Sequence, residues 1–121
     1  FGAAFGFVGV ALGAFGAHGL EDLLTANGRE ATWETAVLYQ FVHAGLLLVL
    51  GILDSIHPSA KLLRISTWTT IAGTLVFSGS LYVLSLTNVK WLGAITPIGG
   101  LCFLVAWSLL LFHSLRIKKN Q

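Results

Sequence analysis

Four stretches, each long enough to cross a bilayer and almost free of charge, constrain this chain more than any other feature of its sequence. They run over residues 1–20, 33–53, 65–86 and 91–115, and Glu34 is the sole Asp, Glu, Lys or Arg inside them. A run of about 20 apolar residues, rising about 1.5 Å each, crosses a hydrocarbon core of about 30 Å. Lipid offers backbone N–H and C=O groups no partner, so only helices and closed barrels cross it. Barrel strands alternate apolar and polar residues over segments of about ten, whereas these runs are continuous. The expected fold is therefore all-α: a four-helix integral membrane bundle, one domain over residues 1–121.

Composition points the same way. Hydrophobic residues make up 55 % and charged residues 10 % of the 121, and mean hydropathy is +0.83. A soluble domain carries about 25 % charge, so this chain could not clothe a water-facing surface. A water-soluble globular enzyme, a disordered chain and a collagen-like chain are excluded. A net charge of +2 is too small to indicate nucleic-acid binding. Cys102 is the single cysteine, which precludes an intrachain disulfide and a cysteine metal cluster. The chain holds no methionine, so its start is expected to lie upstream of Phe1.

The connections are short and polar. Residues 21–32 carry Glu21, Asp22, Arg29 and Glu30 with an Asn27-Gly28 turn signal, and residues 54–64 carry the breaker His57-Pro58-Ser59. Residues 87–90 read as a tight hairpin. The acidic residues near the first connection, Glu34 included, are expected to be solvated. Lys61, Arg64, Arg116, Lys118 and Lys119 fall on one side of the membrane, and Arg29 and Lys90 on the other. The positive-inside rule then places both termini in the cytoplasm. Trp33, Trp68 and Trp91 fall near span ends, where indoles favour the interface. Trp107 does not, and is expected to pack.

In lipid, helices associate where small residues let backbones approach. The first span has two such stripes: Gly2, Gly6, Gly9, Gly13 and Gly16 on one side, and Ala4, Phe7, Ala11, Ala14 and His18 on the other. Two stripes imply contact on both sides, hence a central position or self-association. Thr67, Thr70, Thr74, Ser78 and Ser85, with Tyr82 at their edge, share a face of the third span. Their hydroxyls are expected to bond back to the preceding turn or across to a neighbour. In the fourth span, Pro97 either starts the helix or kinks it, and Gly99-Gly100 admits a neighbour.

Polar side chains inside a bilayer are costly and mark function by default. Tyr39, Gln40 and His43 share a face of the second span at i, i+3 and i, i+4 spacing. His18 lies near the level of Glu34, so a His18–Glu34 contact is plausible by depth. His43 lies roughly 10–15 Å deeper, counting the rise per residue. The imidazoles read first as satisfied structural groups, one ring nitrogen donating and the other accepting, with a Tyr or Gln completing the network. A titrating proton relay and haem or metal ligation by His18 and His43 are the sharper alternatives, and the depth difference argues against the last. No phosphate loop, HExxH or CxxC is present.

Four strings stand in order along the chain: Gly13-Ala14-Phe15-Gly16-Ala17-His18-Gly19, Tyr39-Gln40-Phe41-Val42-His43, Phe77-Ser78-Gly79-Ser80-Leu81-Tyr82 and Ile95-Thr96-Pro97-Ile98-Gly99-Gly100. Together they resemble the family called domain of unknown function 423, over nearly the whole chain. Val105-Ala106-Trp107 departs from it, since the family leads one to expect Gly before Trp, which bears on helix packing there. The resemblance implies a four-helix integral protein of the bacterial plasma (inner) membrane, or of the mitochondrial inner membrane in eukaryotes, with no established activity. Its motifs include His18, Tyr39, Gln40 and His43.

The expected function is non-catalytic binding of a lipid, small ligand or membrane partner. His18, Glu34, Tyr39, Gln40 and His43 are the polar candidates, and Gly2, Gly6, Gly9, Gly13, Gly16, Gly99 and Gly100 the packing residues. No cofactor or metal is expected on this reading. The partners would be membrane lipids, with a homo-oligomer or a larger membrane complex as further assemblies. The rivals are a small transporter or proton conductor using His18 and His43, and a haem- or metal-binding redox protein.

Overall fold

The computed structural model describes residues 1–119, except for the side chain of Lys119. That side chain, counted above among the basic residues of the tail, lies outside the described residues. The chain is helical throughout the spans: α1 (Gly2–Ala17), α2 (Glu21–Asn27), α3 (Glu30–Ile56), α4 (Lys61–Thr87), a 3₁₀ turn (Lys90–Ala94) and α5 (Thr96–Lys119). Three segments, Glu30–Ile56, Lys61–Thr87 and Lys90–Lys118, are each long and apolar enough to cross a membrane.

The first span is where sequence and structure part. It is not one rod over residues 1–20: α1 ends at Ala17 and the chain turns by 73° into α2. The break falls at His18-Gly19-Leu20, where His18 leaves helical geometry and the Leu20 N–H reaches back to the Phe15 carbonyl at 2.8 Å. The acidic stretch that follows is a short helix rather than an open loop. It begins with Glu21 and Asp22, which suit the positive end of a helix dipole. It buries Leu24 and closes on Gly28 at φ +63°, with the Arg29 N–H bonded to the Leu24 carbonyl. Glycine takes this left-handed close without a Cβ penalty.

That short helix fastens two long ones. Asn27 donates from Nδ2 to the carbonyls of Ser85 (2.9 Å) and Leu86 (3.3 Å), which the end of α4 leaves unpaired. Arg29 Nε donates to Asn88 Oδ1 at 3.0 Å. Pro97 falls in the first turn of α5, so it starts that helix instead of kinking it.

The long helices form a row: α1 packs on α3, α3 on α4, and α4 on α5. Among the described residues no Cα pair within 8 Å joins α1 to α4 or α5, or α3 to α5. The two outer seams are made by glycine. A Cβ at Gly99 would lie 2.5 Å from the Phe77 backbone nitrogen, and one at Gly73 2.7 Å from the Phe103 ring, so α4 and α5 touch backbone to side chain and backbone to backbone. On the other side, Gly2 meets Ala44 and Leu48, Gly9 meets Phe41 and Gln40, Gly13 meets Val37, and Gly16 meets Trp33. Gly6 faces open space, so it drops out of the packing stripe. The second small-residue stripe of α1 is not covered within the chain: Ala4, Phe7, Ala14 and His18 are exposed and Ala11 is half-buried. Within one copy α1 is therefore peripheral, not central.

Burial is inverted relative to a soluble protein. The interior holds Ser66, Thr70, Thr74, Ser78 and Ser85, whereas Phe7, Leu75, Leu101, Leu104 and Leu111 are exposed. Water would not tolerate so much exposed apolar surface, and lipid does. The buried hydroxyls are all satisfied, as their pattern predicts. Thr70, Thr74 and Ser85 bond back to carbonyls four residues earlier. Ser66 and Ser78 bond across to the carbonyls of Ala106 (2.9 Å) and Ala36 (2.8 Å). Ala106, at the departure from the family strings, is fully buried at that crossing.

Candidate functional site: an aromatic groove beside His43

Gln40 and His43 stand one turn apart on α3 and each is only 3 % exposed. They belong to different networks. Gln40 closes a three-helix tie: its Nε2 donates to the Phe5 carbonyl of α1 at 2.8 Å, and its Oε1 accepts from the Tyr82 hydroxyl of α4 at 2.8 Å. His43 turns toward α5. Its Nδ1 lies 2.7 Å from the Tyr39 carbonyl, and its Nε2 lies 3.2 Å from Trp107 Nε1. A carbonyl can only accept and an indole N–H can only donate. The imidazole is therefore neutral, with its proton on Nδ1. A second proton on Nε2 would face the indole N–H, donor against donor.

The His43 ring lies flat on Phe103, with centroids 3.4 Å apart and planes at 11°. Tyr39 stacks on Phe77 at 4.4 Å. These rings line a groove of about 780 Å³ whose floor includes Phe77 of α4 and whose walls are Leu38, Tyr39 and Val42 of α3 against Pro97, Gly100, Leu104 and Trp107 of α5. The groove exists because α3 and α5 both pack on α4 without meeting through their backbones; side chains alone bridge the gap.

The other candidates fall elsewhere. Tyr39 joins this site through its ring and its carbonyl, not by completing a hydroxyl network with Gln40. His18 is exposed at the end of α1, and none of the hydrogen bonds or ion pairs among the described residues joins it to Glu34. Glu34 lies with Glu21 and Glu30 at the edge of a separate recess of about 500 Å³, floored by Gly13, Gly16 and Trp33. Gly16 of α1 packs against Trp33, about 15 Å along α3 from His43, so His18, beyond Gly16, does not converge with His43 on one ligand. Among the described residues no group of three His, Cys, Asp or Glu is placed to hold a metal ion. Gly99 serves the α4–α5 seam, while Gly100 opens onto the groove.

Two tryptophans exchange the roles their positions suggest. Trp33 is not an interfacial anchor: it is 3 % exposed, donates to the Leu12 carbonyl at 3.0 Å and meets Tyr82 edge-on. Trp107 is not simply packed; it is half-exposed in the groove and holds His43. Trp68 and Trp91 are exposed, as an interfacial indole would be. Residue type alone did not pick out Phe77, Phe103 or Trp107 as site residues, because apolar rings in a span are unremarkable until their partners are known. The i, i+4 pair Phe103 and Trp107, aligned on one face, was the available signal.

Fold and site together define a small polytopic helical membrane protein with a lateral, aromatic-lined groove. The chain belongs to the family described as protein of unknown function DUF423, whose model matches residues 12–100. Its relatives include a UPF0382 membrane protein of Staphylococcus epidermidis, 43 % identical over 95 % of this chain and 92 % of the relative. Others are the UPF0382 membrane protein YwdK of Bacillus subtilis (39 %, covering 95 % and 93 %) and the UPF0382 inner membrane protein YgdD of Escherichia coli K12 (39 %, covering 99 % and 90 %). No solved structure matches the chain. The chain is thus a membrane protein of the bacterial plasma (inner) membrane.

Proposed function

We propose that this protein is a non-catalytic binding protein that takes a lipid-phase molecule sideways into the groove between α3 and α5. The observation that carries this reading is the neutral, hydrogen-bonded His43 set into an aromatic wall that opens outward from the bundle. Flat rings at stacking distance favour a ligand with an unsaturated ring or a slim acyl chain. Few polar atoms line the groove, so hydrogen bonding would orient the ligand rather than supply most of its affinity. A proton relay fits less well, since both nitrogens of His43 are committed and His18 stands apart.

The proposal includes four crossings with both termini cytoplasmic. α1 alone has 16 residues, about 24 Å of helix. With the bent α2 it passes the length and apolarity test for a further span. The basic residues Lys61, Arg64, Arg116 and Lys118 sit at the end opposite Arg29 and Lys90, which supports the same orientation. Self-association through the uncovered stripe of α1 is a further part of the proposal.

The ligand reading is tested by extracting the protein with its surrounding lipid and weighing what stays bound under nondenaturing conditions. Wild type is expected to retain a discrete lipid-phase molecule that Gly100→Leu, which fills the groove, loses. An identical complement of bound molecules in both would refute it. For topology, single cysteines placed at Phe1 and Asn27, on either side of α1, in a Cys102→Ala background should react with impermeant reagent from opposite sides. Labelling of both from one side would refute the four-crossing arrangement.

A further inference from the structure

The groove between α3 and α5 carries one polar group that the chain itself does not use. Tyr39 lines the groove, and its ring is 39 % exposed and stacks on Phe77. Its carbonyl takes the proton of His43 Nδ1, but its hydroxyl makes no hydrogen bond among the described residues. Tyr82 shows the contrast, since its hydroxyl is tied to Gln40 at 2.8 Å. Inside an apolar span water does not stand in for a missing partner. An unpaired hydroxyl there is a cost that a molecule from the lipid phase can remove.

The rest of the lining decides what that molecule is. Among the described residues no Asp, Glu, Lys or Arg lines the groove, so a charged headgroup finds no counter-charge. The other polar side chains of the lining hold each other, Trp107 Nε1 donating to His43 Nε2. The Tyr39 hydroxyl is the free donor, and it suits an acceptor such as a carbonyl oxygen. Around it stand stacked rings, His43 on Phe103 and Tyr39 on Phe77, whose geometry favours a further flat ring. At the lip, Leu101 and Leu104 are exposed and offer only apolar surface for a tail. A saturated acyl chain would use the lip and leave both the hydroxyl and the ring faces idle. The volume of about 780 Å³ falls in the range of pockets that enclose a ring with part of its tail.

We propose that the ligand of this groove is an isoprenoid quinone. Its uncharged flat ring lies against the aromatic wall, one carbonyl oxygen accepts a hydrogen bond from the Tyr39 hydroxyl, and its apolar tail leaves past Leu101 and Leu104. The inference rests on the reading of the groove as a ligand site and names the chemistry of the occupant. Binding is non-covalent, and no electron transfer is part of it.

The test uses the full chain, delipidated in detergent, with ¹⁵N-labelled indoles and two probes. One is a naphthoquinone carrying a methyl and a prenyl group; the other is the corresponding naphthalene, the same skeleton without its carbonyls. The quinone should move the Trp107 indole resonance saturably and leave those of Trp68 and Trp91 in place. Tyr39→Phe keeps the ring and removes a hydroxyl that holds nothing, so the variant is expected to fold. It should weaken the quinone by about fivefold, the worth of one hydrogen bond, and leave the naphthalene unchanged. Comparing each probe with itself across the two proteins cancels its own partition into micelles. The proposal is overturned if the quinone does not move Trp107, if Tyr39→Phe binds it as wild type does, or if the variant weakens both probes alike. The retention experiment with Gly100→Leu is independent of these outcomes: a groove that retains a molecule there and fails here takes another class of ligand.

Discussion

The two sides of α3 handle the same problem differently. On the side facing α1, Gln40 has each end of its amide tied to another helix, to Phe5 of α1 and Tyr82 of α4. On the side facing α5, His43 is also satisfied, but its partners are its own helix and a half-exposed tryptophan beside an open groove. Both residues are equally buried and equally polar. The difference shows that polarity within a span does not distinguish a clamp from a binding wall. What distinguishes them is how many other helices each group ties down. Gln40 joins α3 to both α1 and α4 beside a smaller recess of about 440 Å³ between those two helices, whereas His43 reaches only α5 beside the larger groove.

Substitutions can break this contrast in order of severity. Gly99→Ala should be the most damaging. Its Cβ would meet the Phe77 backbone, which cannot give as a side-chain tip can. A loss of about 3 kcal/mol is expected, the upper part of the overpacking range, read from denaturant titration in mixed micelles. It would splay α5 from α4 and remove the floor of the groove. Gln40→Leu should cost about 2 kcal/mol, because it leaves the Tyr82 hydroxyl unpaired. Combining it with Tyr82→Phe should recover most of that loss, as removal of both partners is nearly neutral. A double variant as unstable as the single one would show that Gln40 does not act through Tyr82.

His43→Phe should cost less, about 1 kcal/mol, because the indole N–H that it leaves unpaired is half-exposed. The same change should alter Trp107 emission, since its indole N–H loses its acceptor. A loss as large as that of Gln40→Leu would place His43 among the clamps and erase the contrast. Gly6→Ala should be the smallest effect. Nothing lies within 4 Å of the new methyl group, so the gain in helix propensity of about 0.5–1 kcal/mol is unopposed. Gly16→Ala, one α1 glycine that would strike the Trp33 indole, should destabilise instead.

Much of this fold was legible because lipid solvation writes itself into long uncharged runs. The three long helices, the Gly28 turn and the self-satisfied hydroxyls of α4 all follow from residue type and spacing. The break after Ala17 was not legible, since residues 1–20 hold six glycines, Gly2, Gly6, Gly9, Gly13, Gly16 and Gly19, and nothing in their spacing singles out the last as a break. The site was half legible. Gln40 and His43 stood out as polar groups in a span, but the helical wheel gives a shared face and no partners. That Gln40 meets Phe5 and His43 meets Trp107 depends on the rotation of α1 and α5 about their own axes. Trp33 was misread for the same reason: its position near a span end suits an interface, yet the bare backbone at Gly16 lets the indole tuck beneath α1.

The gap between α3 and α5 is open to the lipid phase, while the seam between α3 and α4 is closed. Nitroxide labels at Leu104, on the groove wall, and at Ala36, fully buried against Leu81 and Leu84 of α4, would test this by power-saturation spectroscopy in lipid vesicles with a Cys102→Ala background. Frequent collision of the Leu104 label with dissolved oxygen is expected, with little collision with water-soluble nickel chelate, and neither at Ala36. A Leu104 label shielded from oxygen as fully as the one at Ala36 would contradict it.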